Sequence, residues 1–257
     1  MPELPEVEIL DHRLVQPHDR EEVAAELRGE RVVAVGRRGK YLLVRFVSRR
    51  VLVVHLRMTG AFLLPPPGAA ELPHRRAIVT LDDGTLVVFR DVRRFGTWTL
   101  LEPRQVQGYL AARLGPEPLG AFSAGDFGGR LARRQAPVKA VILDQLTVAG
   151  VGNIYADEAL WRARVHPLRP AAGLGLAEVR ALHRAIRAAL RAGIARQGAT
   201  LRDYRAPDGS EGGMQDEFKV YGREGEPCPR CGREIAKIRV AGRGTHFCPR
   251  CQRLAAA

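Results

Sequence analysis

Two hydrophobic periods divide this chain. Between residues 32 and 89 the apolar positions fall in short blocks, 32–35, 41–46, 51–56, 77–81 and 85–89, separated by turn-forming residues such as Asp82, Asp83 and Gly84. Short runs rich in Val, Leu and Ile between turn signals read as strands, and an Asp-Gly pair between two of them marks a hairpin. Five such strands predict an antiparallel sandwich or barrel. After Pro103 the period becomes helical, predicting helices over 103–113, 123–133, 137–146, 153–164 and 176–196. Ser123 with Asp126 forms a capping signal, and Pro137 suits a first helical position. Residues 5–14 carry Val7, Leu10 and Leu14 at helical spacing, so a short helix is expected there, opened by Pro5 with Glu6 and Glu8 in its first turn. The fold class is therefore α+β. An N-terminal helix plus β-sandwich occupies 1–102, a helical domain 103–219, and a cysteine-bearing tail 220–257.

Composition sharpens this picture. A chain of 257 residues, 46% hydrophobic, can build two cores. Its 41 Lys+Arg against 28 Asp+Glu give a formal charge of +13, which points to a polyanionic partner such as nucleic acid. The basic set is skewed to arginine, Lys40, Lys139, Lys219 and Lys237 being the only lysines. No apolar run approaches the roughly 20 residues of a membrane span and the N-terminus is acidic, so a cytosolic protein is expected. All four cysteines lie in the tail as two C-x-x-C pairs, Cys228 with Cys231 and Cys248 with Cys251, sixteen residues apart. That spacing suits one structural zinc ion on a β-hairpin better than a disulfide framework.

Candidate chemistry begins at the N-terminus. With Met1 removed, Pro2 offers a secondary amine that can attack a sugar aldehyde and form an iminium ion, with the Glu3 and Glu6 carboxylates close in sequence. Gly150 and Gly152 precede the helix that starts at Asn153, an arrangement that lets backbone amides meet a phosphate. Residues 206–218, polar and glycine-rich, read as a mobile loop.

The octet Met1-Pro2-Glu3-Leu4-Pro5-Glu6-Val7-Glu8, Arg37-Arg38-Gly39-Lys40, His55-Leu56-Arg57-Met58-Thr59-Gly60, Asp91-Val92-Arg93-Arg94-Phe95-Gly96, the run from Lys139 to Leu160 and the cysteine pairs occur in that order. Together they resemble the bacterial formamidopyrimidine-DNA glycosylases, base-excision enzymes that remove oxidised purines. The resemblance implies a helix-two-turn-helix in the helical domain, a lesion-capping loop at 206–218 and a zinc hairpin. It makes Pro2 the nucleophile and Glu3 the proton donor, with Lys40 and Arg243 assisting strand cleavage by β,δ-elimination. It assigns Met58, Arg93 and Phe95 to a wedge in the DNA stack, and further DNA contacts to Glu6, His55, His74, Arg134, Lys139, Asn153 and Tyr221. The implied partner is damaged double-stranded DNA, bound by a monomeric, cytoplasmic, nucleoid-associated bacterial enzyme that needs no cofactor besides zinc.

Arg57 and Val92 depart from the family pattern, where some members carry glycine and many carry proline. Two alternatives stand beside this reading: the endonuclease VIII branch, which prefers oxidised pyrimidines, and a noncatalytic zinc-finger DNA-binding protein. Only 33 residues separate Glu6 from Lys40, where the family carries about two further strands of about 5 residues each. The charged stretch 16–31 lacks strand alternation, although Val23 and Leu27 suit one helical turn. An uncovered sheet edge and a weaker, self-associating N-terminal domain are therefore expected.

Overall fold

The computed structural model describes residues 1–201 and 205–254 and separates into two compact units, Met1–Ala111 with Ala199–Gly212, and Ala112–Gly198 with Gly213–Ala257. Among the described residues no helix is long and apolar enough to cross a membrane.

The first unit contains β1 (Glu6–Ile9), α1 (Arg20–Leu27), β2 (Val32–Arg38), β3 (Tyr41–Phe46), β4 (Val51–His55), β5 (Gly60–Leu63), β6 (Arg75–Thr80), β7 (Leu86–Asp91), β8 (Thr97–Leu101) and α2 (Pro103–Ala111). Two four-stranded antiparallel sheets, β1-β6-β7-β5 and β2-β3-β4-β8, enclose a core that includes Val7, Ala77 and Phe89 from one and Phe46, Val54 and Trp98 from the other. The helix α2, which periodicity groups with the helical domain, belongs to this unit. Its Tyr109 ring meets Tyr41 edge-on at 6.3 Å, and its hydroxyl lies 3.5 Å from Thr99 Oγ1.

Residues 5–14 correct the sequence reading. They form no α-helix. β1 runs antiparallel to β6, from Glu6 opposite Thr80 to Ile9 opposite Ala77, followed by a single 3-10 turn at His12–Leu14. The competing period-2 pattern wins: Val7 and Ile9 turn inward, Glu6 and Glu8 outward, and Leu10 stays 41% exposed. A helix would have left the outer backbone groups of β6 without their ladder partners.

The charged stretch forms a two-turn helix rather than one turn. Asp19 caps α1 by accepting from the Glu21 and Glu22 amides at 2.8 and 3.0 Å, and Val23, Ala24 and Leu27 enter the sandwich core. β1 fills the edge beside β6, while among the described strands β2 pairs only with β3. Pro2 to Leu4 cover just the start of β2: Val32 N donates to Pro2 O (2.8 Å), and Leu4 N to Glu30 O (2.9 Å). Beyond them Val33 and Val35 are 52% and 65% exposed. A wholly apolar slot of about 290 Å³ opens there between the sheets, lined among others by Pro2, Leu4, Val35, Val44, Phe62 and Trp98.

The second unit contains α3 (Ala124–Leu131), α4 (Val138–Leu143), α5 (Asn153–Ala163), α6 (Leu176–Ala195), β9 (Ala236–Val240) and β10 (Arg243–Phe247). Ser123 and Asp126 form the expected capping box on α3, while Pro137 takes the N-cap of α4 rather than its first turn. Ala156, Ala159 and Leu160 of α5 share a core with Leu182, Ile186 and Ala189 of α6. The expected loop 206–218 contains two turns. Ala206 N donates to Ser210 O at 2.9 Å, and a 3-10 turn at Met214–Glu217 buries Met214.

An open edge and a slot beneath it make β2 the weakest strand of its sheet. Native-state amide exchange should run faster in β2 than in β4, which is hydrogen-bonded on both sides. Equal protection of the two strands would mean that the edge is closed in solution.

Candidate nucleic-acid interface

At one end of the sandwich, two loops present a small exposed cluster. Met58, on the loop from β4 to β5, and Phe95, on the loop from β7 to β8, are 66% and 49% exposed. Arg93 joins them, its Nη1 lying 3.2 Å from Met58 Sδ and its guanidinium 4.9 Å from the centre of the Phe95 ring. Large apolar side chains held outward by a shared arginine suit insertion between bases.

The support for this cluster is a buried carboxylate. Asp91 accepts from the Thr59 hydroxyl, from Gly96 N at 2.7 Å and from Arg93 N at 3.3 Å, and Arg93 N also reaches Thr59 Oγ1 at 3.0 Å. One side chain therefore ties both loops together. Gly96 is required by space, since a Cβ there would lie 2.7 Å from the Phe89 ring. Arg57 and Arg94 adopt left-handed backbone, φ 57° and 58°. At Arg57 this explains why glycine suits the position.

Arg94 in turn grips Asp11, Nε to Oδ2 at 2.6 Å and Nη2 to Oδ1 at 2.7 Å. These hydrogen bonds hold the Asp11 carboxyl below the usual carboxylate range against the opposing effect of burial. The pair strengthens the folded state once Asp11 ionises, and its contribution fades as acid protonates the carboxylate.

His55 and Lys40 lie at this same end. Tyr41, next to Lys40, pairs with His55 in the β3–β4 ladder, and their rings meet edge-on at 4.7 Å. His55 Nδ1 accepts from Arg57 N at 2.9 Å, which leaves the ring proton on Nε2. Burial, then the charges of Arg57 and Lys40, lower its pKa to about 4, so the ring is neutral at physiological pH. His74, with φ 64°, precedes β6, and its carbonyl accepts from Asp91 N at 3.0 Å.

Pro2, Glu3 and Glu6 are not brought to this end. Pro2 O is bonded to Val32, the first residue of β2, whereas Lys40 lies just past the other end of that strand. Six steps of about 3.3 Å put roughly 20 Å between them. Glu6 pairs with Thr80 at the far end of β6, and Glu3 forms an ion pair with Arg31 at 2.7 Å. The ladder explains the displacement: with Glu6 fixed opposite Thr80, the four residues before it extend only about 14 Å.

In the second unit the sequence-predicted residues converge on the β9–β10 hairpin. Lys139 is fully buried, forming an ion pair with Asp157 Oδ1 (2.6 Å) and donating from Nζ to Thr245 Oγ1 (2.7 Å) and Gly244 O (3.0 Å). Its expected role as a surface contact to DNA is therefore corrected: it anchors β10 from within. Asn153 Nδ2 donates to the same Gly244 carbonyl at 3.0 Å. Arg243 stands exposed beside it, after the turn in which Ala241 and Gly242 take φ 47° and 76°. Arg134 is paired with Asp144 at 2.8 Å. Tyr221 packs edge-on against His246 at 5.1 Å.

Sequence reasoning missed Asp11, Asp91, Asp157 and Glu158. Glu158 is buried, and its Oε1 accepts from the amides of Lys219, Val220 and Tyr221 at 2.9, 2.9 and 3.1 Å, fixing the lead into the hairpin. The available signal was two adjacent acids inside an apolar helix.

The four cysteine sulfurs lie within 4.8 Å of one another. Trp161 Nε1 reaches Cys228 Sγ at 3.4 Å, and the Arg230 guanidinium stacks 4.0 Å over the Trp161 ring, joining the cluster to α5. An all-thiol, closed set of this size fits tetrahedral structural zinc.

Asp91→Ala should cost about 3 kcal/mol, because it strands buried donors on both loops. It should also weaken binding of a duplex with an abasic site. A thermal melt within 1 °C of wild type, with unchanged binding, would show that the loops hold their shape without it; even about 1 kcal/mol corresponds to roughly 4 °C in a domain this size.

The family model for the formamidopyrimidine-DNA glycosylase N-terminal domain matches residues 9–98, that for its H2TH domain residues 114–205, and that for the zinc finger found in FPG and IleRS residues 225–254. The formamidopyrimidine-DNA glycosylase of Chloroflexus aurantiacus is 44% identical over 261 residues, covering 94% of both chains. That of Streptococcus pyogenes serotype M18 is 43% identical over 262 residues, covering 94% of this chain and 95% of its own. Both alignments are longer than the part of this chain they cover, so the relatives carry segments with no counterpart here. Among solved structures, Lactococcus lactis Fpg in complex with DNA containing an abasic site superposes with a TM-score of 0.92 at 39% identity, covering 98% of this chain and 93% of that one. The same protein with Fapy-dG DNA gives 0.91 at 38% identity, covering 98% and 93%. With all three domain models in order and full-length relatives above 40% identity, the chain belongs to the formamidopyrimidine-DNA glycosylase family.

Proposed function

We propose that this chain binds damaged double-stranded DNA and acts as a bifunctional glycosylase and abasic-site lyase on oxidised purines. The observation that carries the reading is the Met58, Arg93 and Phe95 cluster on its Asp91 support. Extruding a base costs a few kcal/mol of stacking, and a preformed apolar and guanidinium wedge offsets it. Solved relatives bound to abasic-site DNA and Fapy-dG DNA support the substrate class.

The base-release chemistry falls to Pro2. With Met1 removed, its nitrogen attacks the anomeric carbon of the damaged nucleotide, Glu3 supplies a proton, and the charged iminium acidifies the neighbouring sugar carbon for successive loss of the 3′ and 5′ phosphates. Lys40 and Arg243 assist and bind phosphates, and Asn153 holds the backbone. To reach the wedge end, residues 2–4 must leave residues 29–32, giving up backbone hydrogen bonds worth about 1 kcal/mol each and the exposed Glu3–Arg31 pair. The binding free energy of a specific DNA complex is large enough to supply this.

The roughly 20 Å separation of Pro2 from Lys40 favours a second reading, a lesion-binding protein that leaves the base in place. Incision assays on duplexes carrying 8-oxoguanine, a formamidopyrimidine or an oxidised pyrimidine decide between them. Release of the purines with strand cleavage is expected. Binding without base release supports the second reading, and preference for the pyrimidine moves the chain to the endonuclease VIII branch.

Zinc, one ion held by Cys228, Cys231, Cys248 and Cys251, sets the hairpin that carries Arg243. Cys248→Ser should bind no zinc and lose most DNA affinity while the sandwich still melts cooperatively. Wild-type affinity in a zinc-free variant would separate Arg243 from the metal.

A further inference from the structure

We propose that the outward face of α6 is a second DNA-backbone surface, one that holds an undamaged duplex segment while another segment is engaged at the lesion. Resting on the DNA-binding reading above, this gives the chain two duplex sites rather than one.

The surface comes from the helical period. Arg180, Arg184, Arg187 and Arg191 stand at i, i+4, i+7 and i+11 of α6, which confines them to about 60° of arc. Leu182, Ile186 and Ala189 occupy the opposite side and share a core with Ala156, Ala159 and Leu160 of α5. Arg180, Arg184 and Arg191 are exposed, and half-buried Arg187 donates to the carbonyls of Pro118 and Gly120. The only acid of the helix, Glu178, is held by Arg169 at 3.1 Å, so α6 itself supplies nothing to neutralise the row. Like charges three and four residues apart weaken a helix, and a polyanion lying along the row removes that cost.

The geometry selects duplex DNA among polyanions. Eleven residues of helix rise about 16 Å, enough to cross a major groove about 12 Å wide, so the two ends of the row reach phosphates on both strands. Guanidinium forks match phosphate oxygens in pairs. An anionic membrane fits poorly, because the apolar side of α6 is buried in the core and only Leu176 and Ile194, at its opposite ends, are left to enter lipid. Nor does the row share a face with the zinc hairpin. β10 is tied to α5 through Asp157 and Asn153, whereas the arginines point away from α5, so a duplex resting on Arg243 leaves the row open to a second. Contacts confined to phosphates read no sequence, and any duplex segment suits the row.

Combining Arg180→Gln, Arg184→Gln and Arg191→Gln removes the exposed charges without touching the core or Arg187. The chain is first saturated with an immobilised abasic-site duplex, and capture of a labelled undamaged duplex is then followed against salt concentration. The wild type should capture the second duplex. The triple variant should lose most of that capture, and its log–log salt slope should fall by roughly 3, one for each phosphate contact removed. Its melting temperature and its affinity for the abasic-site duplex should stay at the wild-type values. No capture by the wild type, or equal capture by the triple variant, overturns the second surface. Weakened abasic-site binding in a triple variant that melts normally also overturns it, since the row would then serve the lesion duplex. A wild type that binds undamaged DNA through the row yet shows no preference for an abasic site overturns the lesion reading and leaves the row standing.

Discussion

A carboxylate taken out of water must be met by donors, and Asp91 is met by groups from both loops at the end of the sandwich. This one constraint fixes the distance between the Met58 loop and the Phe95 loop. It also explains the left-handed residues around it, because the chain must turn tightly to bring the Arg93 and Gly96 amides onto a single side chain. Asp11 extends the same logic outward through Arg94, so a residue from the N-terminal segment stabilises a loop more than eighty residues away. Exposed apolar side chains can be held ready for a partner only when something buried resists their collapse.

The second unit repeats the device with different chemistry. Asp157 meets buried Lys139, and Glu158 gathers three successive backbone amides. A buried ion pair costs desolvation and yields little net stability, but it fixes register strongly, since either charge left alone would be expensive. Here the register fixed is that of β10 against α4 and α5, and with it the position of Arg243. The four-cysteine cluster holds the other end of the same hairpin, so Arg243 is set by two independent anchors.

The N-terminal segment shows how a short ladder decides chemistry. β1 is only four residues long, yet its pairing with β6 commits Glu6 and, through chain length, Pro2. Pro2 thus belongs to the end of the sandwich remote from the Met58, Arg93 and Phe95 cluster, beside an apolar slot that the short segment leaves open. Chain connectivity, not side-chain chemistry, separates the two amines Pro2 and Lys40.

Much of this protein was legible in the sequence because its signals were local. Helical period gave α3 to α6 to within a few residues, the Ser123 and Asp126 spacing gave a capping box, and two C-x-x-C pairs gave the thiol cluster. The exposed Met58, Arg93 and Phe95 cluster was legible as residue types in short motifs. Residues 5–14 were not, since Val7, Ile9, Leu10 and Leu14 satisfy both a helical and an alternating pattern, and only the unpaired backbone of β6 decides between them. Nor could Lys139 be read as buried, because a lysine among apolar residues looks like a surface charge until Asp157 and Thr245 are seen to surround it. Burial of a charge, the reach of a terminus and the meeting of distant loops depend on which strands pair, and pairing is a property of the whole fold.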